Sequence, residues 1–246
     1  MAGAKTKYLI GTSGWNYQHW KKRFYPEDIP KKDWFSHYAR NFNTVEVNYS
    51  FYRWPSEKTM RKWHDDAPHD FSFTMKAPRT ITHIRKLKNV ERQVKDFYKL
   101  TSLLKDKCGC HLFQLPPSMS FERDNLARLK DLLEALDGRK DNAIEFRHKS
   151  WWDPEVYGLL KQYNAAFCIV SGLGMPKDLE ATADTAYFRF HGEGYSTRYS
   201  AHEIKEYAER MEKLKCRKIY AYFNNDYNAY AVKNAQELRK EIGTNS

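Results

Sequence analysis

The chain has 246 residues, with 42 Lys plus Arg against 31 Asp plus Glu, a formal charge of +11, and is 41% apolar and 15% aromatic. That apolar fraction is enough for a sizeable core, so the mean hydropathy of −0.84 reflects surface charge rather than disorder. No apolar run approaches the roughly 18 residues of a bilayer span, MAGAKTKYLIG is too short and polar for a signal peptide, and Cys108, Cys110, Cys168 and Cys216 show no CxxC spacing. The expectation is a cytoplasmic chain with free thiols and no membrane partner.

Alternation and punctuation mark eight β-rich runs. The first three are 8–13 (YLIGTS), 44–48 (TVEVN) and 71–77 (FSFTMKA), followed by an amphipathic helix over 90–107. The fourth, 110–116 (CHLFQLP), precedes a helix over 124–137, and the fifth is 143–148 (AIEFRH). After the sixth, 166–171 (AFCIVS), residues 171–184 offer only a short helix and predict an irregular crossover. The seventh, 186–192 (AYFRFHG), leads into a helix over 200–215, and the eighth is 219–225 (IYAYFNN). Strand alternating with helix eight times, with no compositional break, predicts one α/β domain over 1–246, a closed parallel (β/α)8 TIM-type barrel.

Active sites of such barrels lie at the carboxyl ends of the strands. The residues there are Ser13, Glu46, Asn48, Thr74, Lys76, Gln114, Glu145, Arg147, Ser171, Arg189, His191 and Asn224. Several are two apart and therefore share a face. Their opposite-parity neighbours, Val45 and Val47, Phe73 and Met75, Ile144 and Phe146, Phe188 and Phe190, Ala221 and Phe223, suit packing against helices, which turns the polar parity toward the barrel axis.

The motifs IGTSGWNYQHW, FYP, TVEVNYSFYRWP, ITH, LFQLPPS, AIEFRHKSWW, YFRFHG and YAYFNND with AVKNA resemble, in order and spacing, the YecE-like family known as domain of unknown function 72. The resemblance spans the chain and implies a TIM barrel but supplies no reaction. Ala229 and Tyr230 stand where the family often carries a small Gly or a His-Ala pair, which puts the shape of the last loop in question.

Glu46, Lys76, Glu145, Arg147 and Arg189 admit a structural reading, an ion-pair plug, and a functional one. Ion pairs make an inefficient plug compared with apolar packing, which favours function. Glu46, Glu145, His191 and Lys76 are the catalytic candidates; Asn48, Gln114, Arg147, Arg189, Asn224, Trp15, Tyr52 and Trp151 are the substrate-binding ones. His191 has the alternative of packing against Glu145 or Asn224, while Gly192 and Gly194 after it would offer backbone amides to a phosphate. Aromatic loops with basic neighbours, among them Lys21, Lys22 and Arg23, either stack nucleic-acid bases or pack on one another as a lid.

No cofactor is indicated. Glu46, Glu145, His191 and Asp226 suit a divalent metal chemically, but no ligand-spacing motif supports it, and Lys76, Arg147 and Arg189 would repel a cation. An anionic ligand is expected instead, a nucleic acid or a phosphorylated small molecule, with phosphodiester hydrolysis as the reaction. There the cations would stabilise developing charge, Glu145 or Glu46 activate water, and His191 protonate the leaving group. Two alternatives stand beside it: an enzyme acting on a small sugar or sugar phosphate, and a non-catalytic ligand-binding protein.

Overall fold

The computed structural model describes residues 5–176 and 178–243. Period-two alternation becomes eight strands: β1 (Lys7–Thr12), β2 (Thr44–Val47), β3 (Ser72–Lys76), β4 (Cys108–Gln114), β5 (Asp141–Glu145), β6 (Ala166–Gly172), β7 (Thr185–Gly192) and β8 (Lys218–Phe223). Their order is β1-β8-β7-β6-β5-β4-β3-β2 with parallel pairing throughout, a (β/α)8 barrel that closes between β1 and β2. Helices α1 (Trp34–Asn41), α2 (Tyr49–Tyr52), α3 (Glu57–Asp66), α4 (Glu91–Thr101), α5 (Arg123–Ala135), α6 (Pro154–Gln162), α7 (Ala201–Glu212) and α8 (Tyr230–Glu241) fall between and after the strands.

The seam between β1 and β2 has one bridge, Ser13 to Glu46, with Gly14 N–H donating to the Glu46 carbonyl at 2.8 Å. Beside it the Tyr38 hydroxyl of α1 replaces ladder bonds, accepting from Thr12 N at 3.0 Å and donating to the Thr44 carbonyl at 3.0 Å. Gly11 fits because a Cβ there would collide with that carbonyl.

Parity sorts the side chains. Val45, Phe73, Ile144, Phe146, Phe188, Phe190, Ala221 and Phe223 join helix residues such as Met60, Phe97, Leu132 and Leu160 in the outer core. Leu9, Leu112, Cys168, Val170, Tyr187, Tyr220 and Tyr222 form a separate inner core. The lumen is thus filled by stacked layers, as barrels of eight strands require. At its amino end Asp141 pairs with Arg217 at 2.6 Å and Lys218 at 2.9 Å, and higher up the Tyr222 hydroxyl meets Thr44 at 2.7 Å and Thr74 at 2.8 Å.

Some boundaries differ from expectation. β5 stops at Glu145, because Leu115 N–H makes the last bond to its carbonyl and Pro116 and Pro117 carry no N–H to extend the ladder. Arg147 and His148 therefore sit on a loop. The helix expected over 90–107 breaks after α4 into a 3-10 turn containing Lys105 at φ 50°. Between β6 and β7 no helix forms among the described residues. There Thr182 stitches the crossover to the start of β6, donating to the Ala165 carbonyl at 2.6 Å and accepting from Phe167 N at 2.7 Å. The four cysteines are free thiols.

Candidate functional site

Inward positions in the carboxyl-terminal halves of β2, β5 and β7 carry Glu46, Glu145 and Arg189, all essentially without solvent exposure. Arg189 ties them together: Nη2 donates to Glu46 Oε1 at 2.6 Å and Nη1 to Glu145 Oε2 at 2.7 Å. Nη1 also reaches Gln114 Oε1 at 3.2 Å. Ser13 Oγ at 2.5 Å and the Tyr187 hydroxyl at 2.6 Å complete the Glu46 carboxylate. Burial pushes both carboxyl groups up. Attraction to Arg189 and Lys76 for Glu46, and to Arg147 and Arg189 for Glu145, overcomes it and holds both below the usual range.

A second tier lies above. Arg147 Nε donates to Glu145 Oε1 at 2.5 Å, while its Nη1 reaches the Tyr195 hydroxyl and its Nη2 reaches His191 Nε2, both at 3.2 Å. Both His191 ring nitrogens face donors at 3.2 Å, Nε2 the Arg147 guanidinium and Nδ1 the Asn224 side-chain NH2, and Nε2 also lies 3.5 Å from Glu145 Oε1. Desolvation, reinforced by Arg189 and Arg147, lowers His191 to about 4 against the pull of Glu145, so the imidazole is neutral.

Lys76, at the end of β3, is 7% exposed. Its Nζ makes no hydrogen bond or ion pair among the described residues and lies 4.2 Å from the centroid of the Phe51 ring. Desolvation and then Arg189 lower it to about 7, against the attraction of Glu145 and Glu46. Phe51 also meets the His83 ring edge to face at 4.8 Å. His83 sits in a π-helical turn, Thr80–Ile84, and desolvation followed by Lys76, Arg79 and Arg147 lowers it to about 4. Such turns recur at functional sites. His83 closes the ITH motif yet is not among the site residues expected from sequence, since nothing in the spacing marks the turn.

Residues 9–246 match the family described as "Protein of unknown function DUF72". The chain belongs to the DUF72 family. It is 24% identical to the UPF0759 protein YunF of Bacillus subtilis, over 93% of this chain and 92% of that one. A 115-residue stretch, 47% of this chain and 42% of the relative, is 32% identical to the UPF0759 protein YecE of Escherichia coli. A solved DUF72 family protein from Thermotoga maritima is similar with a TM-score of 0.90 and 30% identity, over 96% of this chain and 99% of that one. Another from Enterococcus faecalis shares the fold at a TM-score of 0.81 and 20% identity, over 98% and 99% of the two chains.

In this DUF72 barrel Glu46, Lys76, Gln114, Glu145, Arg147, Arg189, His191 and Asn224 gather at one end of the lumen. Other expected site residues lie elsewhere. Trp151, expected to contact a ligand, is 0% exposed, stacks on Phe146 at 4.7 Å and donates its Nε1–H to the Met119 carbonyl. It is a core residue between strand and helix. Trp15, Asn48 and Tyr52 line a separate aromatic cleft of about 410 Å³ with Tyr17, Tyr49 and Trp63. Among the described residues Asn48 Oδ1 is buried there without a hydrogen-bond partner, and Tyr52 is 74% exposed.

The Gly192 amide is not open to a phosphate, since it donates to the Tyr199 hydroxyl at 2.8 Å. The neighbouring cleft of about 420 Å³ holds Glu193, Glu203 and Glu206 beside Arg198 and Arg210, a poor anion site. Asp226 faces His19 at 3.2 Å rather than the cluster. Among the described residues no three His, Cys, Asp or Glu side chains are placed to hold a metal ion. The aromatic loops divide: Trp20 is buried, donating to the Asp226 carbonyl, whereas Tyr195 and Tyr227 are exposed. In the last loop Asn228 and Ala229 take left-handed φ of 53° and 58°, a conformation glycine adopts more easily. Asn225 before them and Asn234 after them tether the loop after β7 through the Thr197 carbonyl and the Tyr199 backbone.

Proposed function

We propose that this DUF72 barrel binds a small phosphorylated compound at its mouth, between Lys76 and Arg147. One observation carries the reading. Two carboxylates are matched by two guanidinium groups, and among the described residues the Lys76 amine is left with no anion of its own. A ligand anion would complete that balance and raise Lys76 back toward its ordinary value.

Binding, rather than hydrolysis, is what the cluster supports. Glu46 and Glu145 are engaged with cations and hydroxyls on both oxygens, so neither is free to activate water. His191, lowered to about 4, is neutral and carries no imidazolium proton for the leaving-group acid role expected from sequence. Enclosure favours a small ligand over a strand, since the Lys76 residue and the Arg147 side chain are only 7% and 10% exposed.

A nucleic-acid ligand is the second reading, favoured by the charge of +11 and by exposed Tyr52, Tyr195 and Tyr227. Calorimetric titration with inorganic phosphate, a sugar phosphate and single-stranded DNA at two salt concentrations tests both. Saturable binding of the small anions that Lys76→Met abolishes supports the proposal; no small-anion binding refutes it. DNA binding that weakens steeply with salt would support the second reading instead.

A further inference from the structure

We propose that the Lys76 amine forms an imine with the carbonyl carbon of an anionic aldehyde or ketone held at the barrel mouth. The inference rests on the anion reading for the charge of the ligand, and on separate observations for the covalent step. Lys76 ends β3, the place from which barrels present reactive side chains. Among the described residues it has neither a hydrogen bond nor an ion pair, and its amine lies over the face of Phe51 at 4.2 Å.

An ammonium kept there for stability would have a carboxylate of its own. The two carboxylates nearby are instead bonded to Arg189 and Arg147. Burial, and after it Arg189 and Arg147, oppose a third positive charge there, so near neutrality a large share of the amine is uncharged and nucleophilic. The groups that set its charge are Glu46, Glu145, Arg147 and Arg189, with His83 beside Phe51. Arg147 is placed to bind the ligand anion, and the neutral His191 imidazole beside it can relay a proton.

The step balances without an oxidant or reductant. The Nζ lone pair adds to the carbonyl carbon as the C=O π pair moves to oxygen. One amine proton passes to that oxygen, through His191 or water, and gives a carbinolamine. The nitrogen lone pair then forms C=N as the hydroxyl leaves, and the second amine proton completes a water molecule. Amine and carbonyl become imine and water.

The test uses the full-length protein, glycolaldehyde phosphate as the anionic carbonyl probe and glycolaldehyde as its neutral counterpart. Cyanoborohydride traps the imine, and intact mass and peptide mapping locate it. The expected result is one adduct per chain at Lys76. It should be enriched on the order of a hundredfold over surface lysines, since a free lysine amine, with a reference value near 10.4, is almost wholly protonated at pH 7. Labelling should rise with pH as the amine loses its proton, through about 7 for the neutral probe and at higher pH for the anionic one, whose charge raises Lys76, and it should disappear in Lys76→Arg.

Adducts scattered over surface lysines without enrichment at Lys76 would overturn the proposal, and so would an unmodified chain. If Lys76 is unmodified while inorganic phosphate still binds, the imine fails and the anion reading stands. If both probes label Lys76 equally and phosphate gives no protection, the imine stands and the anion reading fails.

Discussion

Arg189→Met removes one cation while keeping a side chain of similar length inside the lumen. Its bonds of 2.6 Å to Glu46 and 2.7 Å to Glu145 disappear together, but the two carboxylates do not suffer equally. Glu145 keeps Arg147 at 2.5 Å, whereas Glu46 retains only the Ser13 and Tyr187 hydroxyls and the more distant Lys76. One stranded buried carboxylate costs about 3 to 5 kcal/mol. At about 2 to 4 °C per kcal/mol for a domain of this size, the melting temperature at pH 7.5 should fall by roughly 6 to 20 °C.

The pH dependence gives a second handle on the same substitution. In the wild type Glu46 and Glu145 titrate below the unfolded value, so their stabilisation is present above that value and is lost as pH falls through the folded one. Without Arg189 the burial of Glu46 goes unopposed by its main cation and its carboxyl rises. The folded variant then takes up a proton more readily than the unfolded chain, and its deficit shrinks as pH falls toward 5. Thermal melts by circular dichroism at both pH values, with Glu46→Gln added to Arg189→Met, measure this directly. The double variant should recover at least half the loss. A variant melting within 2 °C of the wild type, or a double variant no more stable than the single, would refute the account of Arg189 as the cation that holds the lower tier.

Lys76→Met should stabilise the fold below pH 7, by on the order of a few kcal/mol, because the unfolded chain binds the lysine proton up to about 10.4 and the folded one only to about 7. Its advantage should fade as the wild type gains stability between those values, which melts across pH 6 to 10 will show. Trp151→Ala should cost about 3 to 5 kcal/mol in urea unfolding, with phosphate affinity unchanged in whatever fraction remains folded. Replacing Lys21, Lys22 and Arg23 by Ala should flatten the salt dependence of any polyanion binding by about one unit of slope for each phosphate no longer neutralised. The fold should persist, with a small penalty at Lys22, where φ is 66°; an unchanged slope would assign the three to a solvated face.

Parity was the strongest message in the sequence. Glu46, Glu145 and Arg189 each alternate with residues that pack outward, and that alone places them in the lumen. What alternation cannot express is depth or partnership. Five charges of one parity read as a single cluster, but Pro116 and Pro117 end the ladder at Glu145, and Arg147 is thereby lifted onto a loop above it. The same limit explains Trp151, which is no different in type from Trp15 until Phe146 is seen beneath it. Gly192 looks like an anion nest until the Tyr199 hydroxyl is found on its amide.

The missing counter-ion of Lys76 belongs to this class as well, because a pattern of residue types shows which charges are present and not which are paired. Once pairing is known, the cluster separates by function. Arg189 lies deepest, where two carboxylates and their hydroxyl donors leave it no surface for a ligand, and it organises the tier above. Arg147 and Lys76 lie nearer the opening, one sharing Glu145 and the other unshared among the described residues, so any change in charge at the mouth falls first on the amine. A ligand anion and a proton then bind together. Raising the pH through about 7 should weaken anion affinity as Lys76 discharges, and Lys76→Arg, which keeps its charge, should remove that dependence while retaining affinity. Anion affinity that stays flat from pH 6 to 9 in the wild type would show that Lys76 is not the group the ligand meets.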